Sequence, residues 1–399
     1  MKILLIVDDF LPHSIKVAAK MMHEMALELN AQGHYATVLT PSPGQKESLV
    51  VKDVEGVNTL FFKSSEIKNI DKIKRAVNET FLSPRAWKAT KKYFKQHKFD
   101  GIVYYSPSIF FGLLVLRLKR LWQCKSYLIL RDIFPQWTVD NGLMRQKSPI
   151  YSYFKFFERI NYKAANTIGV MSPSNLEFFK KQKIDVSKVE VLYNWSKLPK
   201  IERSQNTYRK QLSLENKVVF FYGGNIGHAQ NMIYLVDLAK RFKNEKNIHF
   251  LFVGKGDQVE LIIAEKEKYN LNNLTYLPSV DQTTYFKMLN EFDVGLFSLH
   301  PDHKTHNFPG KLLGYMGYSK PILGCVNPGN DLKEIVNEAQ AGFVVESGNS
   351  EALYHAAQQL VESEELRIKT GKNGRQLLAE QFSIESTTTQ IINSLKRAK

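Results

Sequence analysis

Cysteine is nearly missing from this sequence: 399 residues hold two, Cys124 and Cys325, one in each half. Two such distant thiols give neither a disulfide framework nor a metal-binding cluster, and a reducing cytoplasm suits them. Long apolar runs are missing too. None approaches the roughly 18 residues that a membrane-spanning helix needs. No leader pattern is present, because Lys2 runs at once into the strand-length Ile3-Leu4-Leu5-Ile6-Val7 and then Asp8-Asp9. The first β-loop-α unit lacks G-x-G-x-x-G, which argues against a dinucleotide cofactor. Acid is short relative to base: 39 Asp and Glu stand against 55 Lys and Arg, a net charge of +16.

The length is enough for two domains of roughly 190 residues each. The basic excess is unevenly shared. Residues 1–194 hold 30 basic and 17 acidic side chains, whereas 195–399 hold 25 and 22. Within 63–98 alone, 11 basic residues face three acidic ones, Glu66, Asp71 and Glu79. Nucleic acid and anionic membrane are the generic partners of such a patch.

The first half reads as a Rossmann-like alternation of strands and helices. Strand 2–7 leads into Asp9-Phe10-Leu11-Pro12-His13-Ser14-Ile15, then a helix of about 18 residues carrying Val17, Met21, Met25 and Leu29. Strands follow at 35–39, 101–105, 127–130, 167–171 and 189–192. Ser106-Pro107-Ser108 and Arg131-Asp132 fall at carboxyl ends of strands, the edge where open α/β sheets build their sites. Ser83-Pro84 reads as an N-cap and first-turn proline. The helix behind it sets Trp87, Thr90 and Phe94 against Arg85, Lys88, Lys91, Lys92 and Lys95. Such a helix is either solvated on its charged face or suited to a lipid headgroup layer. Residues 109–122 and the aromatic cluster Tyr151, Tyr153, Phe154, Phe156 and Phe157 offer further apolar surface, for a core or for a membrane. Residues 197–207 read as a linker.

The second half restarts the rhythm. Strand 218–222 enters Gly223-Gly224-Asn225-Ile226-Gly227-His228-Ala229-Gln230, a glycine loop able to wrap phosphate. Strand 249–253 enters Gly254-Lys255-Gly256-Asp257, and strand 274–277 enters Pro278. Asn327-Pro328-Gly329-Asn330-Asp331 opens a further helix. The stretch that organises the half is 306–323: His306-Asn307-Phe308-Pro309-Gly310 as a loop, then a helix with Leu312, Leu313 and Met316, stopped by Ser319-Lys320-Pro321 before the strand Ile322-Leu323. Gly310 lets a ligand approach the backbone, and Lys311 adds a full charge beside the helix N-terminus. That combination suits a phosphate or diphosphate.

This loop–helix–Lys-Pro–strand pattern resembles the donor-site signature of family 4 glycosyltransferases of the GT-B fold. The form Phe-Pro-Gly-Lys…Tyr-Met…Lys-Pro is similar to bacterial surface-polysaccharide N-acetyl-L-fucosamine transferases. The family's Glu-x7-Glu pair falls on His306 and Gly314, neither acidic. Its usual Arg and Lys fall on Asn225 and Gln230. The resemblance implies an α/β fold of two Rossmann-like parallel-sheet domains facing each other across a cleft. An acceptor-binding domain would span 1–194, a nucleotide-sugar-binding domain 195–382, and a helix in 383–399 would cross back.

The resemblance further implies a UDP-sugar donor and no metal or other cofactor. The donor would lie against Gly224, Asn225, Gln230, Gly254, Lys255, Pro278, 306–312, Asn330 and Asp331. Lys311 would stabilise the departing diphosphate. Asp132, Arg131 and His13 complete the candidate catalytic set, with Ser14, Ser106 and Ser108 on the acceptor side. The acceptor would be a lipid-linked saccharide for O-antigen or capsule, met at the inner face of the cell membrane by a peripheral cytoplasmic enzyme and not by a nucleic-acid binder. The rival readings are a GT-B sugar-nucleotide 2-epimerase and a non-catalytic sugar-nucleotide-binding subunit.

Overall fold

The structure is a computed structural model describing residues 1–397 apart from 15, 69, 107, 141, 183 and 303–307, and apart from the Asp140 side chain. The chain divides into two compact units, Met1–Tyr193 with Ile384–Lys399, and Asn194–Ser383.

The first unit holds strands β1 (Lys2–Ile6), β2 (Tyr35–Pro43), β3 (Leu49–Val54), β4 (Val57–Ser64), β5 (Gly101–Ser106), β6 (Lys125–Leu130), β7 (Thr167–Val170) and β8 (Val189–Val191). They form one sheet in the order β3-β4-β2-β1-β5-β6-β7-β8. β1 and β5 are buried almost end to end, as strands covered on both faces are. All neighbours run parallel except β3, which pairs antiparallel with β4. This hairpin was not foreseen. Its turn, Glu55-Gly56, holds both residues at positive φ, yet Glu-Gly is not a usual hairpin dipeptide.

Helices α1 (Val17–Ala31), α2 (Lys72–Thr80), α3 (Leu82–Gln96), α4 (Gly112–Trp122), α5 (Gln136–Asp140), α6 (Pro149–Ala164) and α7 (Pro173–Lys181) complete the layers. α1 buries Met22, Met25, Ala26 and Leu29, while Val17 is exposed, so the apolar face is rotated from the one expected. α3 begins before Ser83, which is therefore no N-cap. Its hydroxyl instead donates to the Phe110 carbonyl and accepts from the Leu114 N–H, fastening α3 to the start of α4. α2 owes its start to Asp71, whose carboxylate accepts from the N–H groups of Ile73 and Lys74. α6 starts on Ser148 with Pro149 in its first turn.

The second unit runs α8 (Thr207–Gln211), β9 (Val218–Asn225), α9 (Ile233–Arg241), β10 (Ile248–Lys255), α10 (Val259–Tyr269), β11 (Leu274–Pro278), α11 (Gln282–Glu291), β12 (Val294–Ser298), α12 (Lys311–Gly317), β13 (Ile322–Val326), α13 (Leu332–Glu338), β14 (Gly342–Glu346), α14 (Ser350–Glu362) and α15 (Glu364–Leu377). Its sheet is wholly parallel, in the order β11-β10-β9-β12-β13-β14. From β9 the chain steps outward to β10 and β11, then returns to the other side with β12. The carboxyl ends of β9 and β12 thus flank a topological switch point, where such sheets take ligands. In the first unit the equivalent point lies between β1 and β5. Residues expected as a free linker belong in part to this unit: Pro199 lies under Gly317, and Arg375 donates to its carbonyl.

The last helix, α16 (Ile384–Lys396), packs against α1 in the first unit. Glu190 of β8 holds it, accepting from Gln390, Ser394 and Arg397 as well as from the buried Tyr127 hydroxyl. Among the described residues no helix is long and apolar enough to cross a membrane.

Candidate functional site

In the second unit the site is built on glycine. Gly224 of β9 stands opposite Gly254 of β10, and a Cβ on Gly254 would lie 1.8 Å from the Gly224 carbonyl oxygen. A Cβ on Gly256 would fall 2.0 Å from the Ile226 oxygen. Only glycine lets these two loops close on each other. Gly224 itself has φ +132°, so a side chain there would be strained.

Into this loop reaches Lys311 from the first position of α12. Its Nζ lies 3.5 Å from the centroid of the Tyr222 ring, and 3.5 Å from where a Gly224 Cβ would be. Burial pushes the Lys311 ammonium down to about 7. Among the described residues no carboxylate pairs with it. Beneath lies a group of buried phenols: Tyr315 donates to the Leu296 carbonyl and receives the Gly223 N–H, and burial pushes Tyr222 and Tyr285 well above the usual phenol range. Tyr315 belongs to the Tyr-Met of the motif, but nothing in the sequence marked Tyr222 or Tyr285, because their meeting with Lys311 depends on how the strands and helices are ordered in space.

The other donor-side candidates fall around this centre. Asn225 donates to the Gln230 side-chain oxygen at 2.7 Å, and that oxygen also receives the Gly227 N–H. The two amides therefore shape the loop by holding each other. The N–H groups of Leu312 and Leu313 bond to the carbonyls of Pro309 and Gly310, and the space around Gly310 is open. Phe308 lies against Phe382. Lys255 and Pro278 are exposed at the ends of β10 and β11. Asn330 is buried: its amide nitrogen bonds to Asn327, and its oxygen receives the Leu332 N–H. Asn330 thus caps α13 by its side chain, with Asp331 beside it. His306 and Asn307 lie outside the described residues. A pair the sequence did not suggest also appears here: His228, bonded through its N–H to Asp257, faces His300 with ring centroids 4.7 Å apart.

In the first unit the candidates gather at the carboxyl ends of β1, β5 and β6. The Ser14 hydroxyl donates to Asp9, and Lys68 bridges Asp9 at 2.7 Å and Asp8 at 3.3 Å. Lys68 was missed because it comes from the loop after β4, a strand itself unforeseen. His13 is exposed, edge-on to Phe61. Ser106 is fully buried, and its hydroxyl finds no partner among the described residues. Ser108 serves locally, accepting from the Phe110 N–H.

The neighbours Arg131 and Asp132 part company. Arg131 turns inward and donates to the carbonyls of Leu192 and Tyr193, so it fixes the chain where it leaves the first unit. Its burial lowers the guanidinium to about 10. Asp132 keeps an exposed face, although partial burial raises its carboxyl, opposed by the charge of Arg131. Nearby Tyr105 is pushed up to about 12, mainly by burial.

Two parallel-sheet units, one with a lysine at a glycine loop on its switch point, are the parts of a GT-B architecture. Comparison with known proteins agrees. Residues 18–196 match the family model described as Glycosyltransferase Family 4, and 204–377 match the one described as Glycosyl transferases group 1. Each half of the chain thus matches a glycosyltransferase family model, and together the two matches take in most of the chain. A probable glycosyltransferase of Pseudomonas aeruginosa, WbjE, is 24% identical over 223 residues, and a provisionally named colanic acid biosynthesis glycosyl transferase of Escherichia coli K12, WcaI, is 24% identical over 303. The first match takes in 55% of this chain and 55% of WbjE, little more than half of either; the second takes in 70% and 72%. The crystal structure of Anabaena Alr3699/HepE in complex with UDP covers 99% of both chains at a TM-score of 0.66 and 15% identity. At that identity the likeness shows the fold, and the fold is GT-B.

Proposed function

We propose that the protein transfers a sugar from a UDP-sugar to a lipid-linked saccharide in polysaccharide or glycoconjugate synthesis. The observation that carries this reading is Lys311: a desolvated ammonium set against a glycine loop, with no carboxylate paired to it among the described residues. A diphosphate would give that charge its partner. The UDP bound by the structurally similar HepE and the polysaccharide role in the name of WcaI support the choice of donor and pathway class. The finer assignment is an N-acetyl-L-fucosamine donor, or a related 6-deoxy N-acetylhexosamine, used for O-antigen or capsule at the inner face of the membrane. It rests on the Phe-Pro-Gly-Lys motif.

Breaking the bond between the sugar C1 and the diphosphate oxygen leaves negative charge on UDP. Lys311 and the neighbouring backbone N–H groups stabilise it, in place of a metal ion. The acceptor hydroxyl forms the new bond to C1, and its proton passes to the departing phosphate. Asp132, His13 and Ser14 are the candidate acceptor-side groups, and Arg131, turned inward to the Leu192 and Tyr193 carbonyls, fixes the chain after β8.

The test is incubation with a panel of UDP- and GDP-sugars and lipid-linked acceptors, read by mass spectrometry. Acceptor-dependent product from a UDP-sugar is expected. The non-acidic His306 and Gly314 favour the rival of a non-catalytic binding subunit, and UDP-sugar binding without turnover of any donor would establish it.

A further inference from the structure

The first unit carries apolar side chains where a water-soluble surface has no use for them. On α6, Ile150, Tyr153 and Phe156 follow one another at three-residue steps, so each lies beside the next along the helix surface. Ile150 is 52% and Phe156 59% exposed, although Phe154, Phe157 and Tyr162 of the same helix are core. Beside it, α2 exposes Ile73 at 74% and Val77 at 52%. The two helices meet: the Thr80 hydroxyl at the end of α2 bonds to the Tyr153 hydroxyl. The stripes therefore form one patch.

The patch is framed by cations. Lys72, Lys74 and Arg75 on α2, and Arg145 and Lys147 just before α6, are exposed. The carboxylates among them are engaged: Glu79 is buried against Arg75, Glu158 is buried against Lys155, and Asp71 caps α2. The basic helix α3 differs. It exposes Lys88, Lys91, Lys92 and Lys95, but Trp87 lies under Arg117 at 4.9 Å and Tyr93 stacks on His97. α3 can supply attraction, not insertion.

We propose that the apolar face of α2 and α6, framed by Lys and Arg, is the surface by which the protein rests on an anionic lipid bilayer. Aromatic and aliphatic side chains enter the headgroup boundary while the cations meet lipid phosphates, which need no fixed geometry. A protein partner would have to set carboxylates opposite each cation. The face also begins beside the acceptor edge. Trp137, itself exposed, follows Asp132 by one short turn, and Phe134 between them packs at 4.8 Å on Phe154 of α6. This deepens the reading above, on which it rests: a lipid-linked acceptor would be delivered from the bilayer to the edge where Asp132 stands.

Co-sedimentation with vesicles of phosphatidylcholine alone, or mixed with phosphatidylglycerol, tests the face. The full chain should pellet with the anionic vesicles only, and the Trp137 emission should shift to the blue. The Ile150→Ser/Phe156→Ser variant should lose roughly tenfold or more in vesicle partitioning, and Ile73→Ser/Val77→Ser should do likewise. Both variants should keep the parent's UDP binding and melting temperature, since the changed residues are exposed. If both pellet as the parent does, the face is wrong although membrane binding stands. If the parent ignores anionic vesicles but dimerises through these residues, the occupant is a second copy and the proposal falls. Transfer activity is scored separately, so a parent that binds vesicles yet turns over no UDP-sugar sinks the enzymatic reading and leaves the face.

Discussion

The Lys311 ammonium lies 3.5 Å from the centre of the Tyr222 ring, with the Gly224 backbone beside it and no carboxylate paired to it among the described residues. The ring's negative face is the main partner of this charge. A quadrupole compensates a buried ammonium only in part, which is why the group falls to about 7.

Lys311→Met should therefore weaken UDP binding by roughly 1.5–3 kcal/mol, the worth of a charge-assisted hydrogen bond. Calorimetric titration with UDP measures it. The fold should hold, because methionine keeps the apolar stem over Tyr222 and removes only the charge. Unchanged UDP affinity would remove Lys311 from the donor site.

UDP should also bind with proton uptake. Above pH 7 the free protein holds Lys311 mostly neutral, and an incoming diphosphate favours the ammonium and raises its pKa. At pH 8 the uptake should approach about one proton per UDP. UDP affinity should then fall as pH rises from 7. Titrations in buffers of different ionisation enthalpy count the protons. For stability the sign is opposite: between pH 7 and about 10 the unfolded chain holds a proton that the native state lacks, so this group's contribution rises with pH. Burial also lowers Lys320, to about 8, so the Lys311→Met difference is the quantity to measure.

Gly314→Glu should not raise transfer activity. A Cβ there meets Leu289 and Phe286 of α11 at 3.5 and 3.6 Å, so a side chain would start out along an apolar wall. Initial rates on the preferred donor decide it, and a clear gain would restore the family's usual carboxylate role at this position.

Glu190→Ala should cost about 1–3 kcal/mol, because it leaves the buried Tyr127 hydroxyl without an acceptor and removes the carboxylate that Gln390, Ser394 and Arg397 share, leaving Gln390 only its bond to the Val191 carbonyl. Limited proteolysis should then cut near residue 384 earlier than in the parent, with the melting temperature lowered.

The strand–helix rhythm was legible because parallel strands buried on both faces write themselves as apolar runs, as in Ile3-Leu4-Leu5-Ile6. β3 and β4 were not, since their alternation is broken by Lys52 and Asp53 and their turn is Glu-Gly. Lys311 and the glycine loop could be picked out singly, through charge and glycine beside helix starts. That they meet over Tyr222 is a consequence of strand order, which no local pattern carries. The Arg131-Asp132 pair shows the same limit. Adjacency in sequence suggested one shared role, yet just past the end of β6 one side chain turns inward to Leu192 and the other stays at the surface.

The attachment of α16 to β8 and α1 has a consequence for how the molecule comes into being. The second unit is a single uninterrupted stretch, Asn194–Ser383, inserted between the parts of the first. As the chain leaves the ribosome, the second unit has its full complement of residues before the first does. Until Gln390 and Ser394 emerge, Glu190 and the groove along α1 wait without their cover. The unit that is begun first is the one completed last.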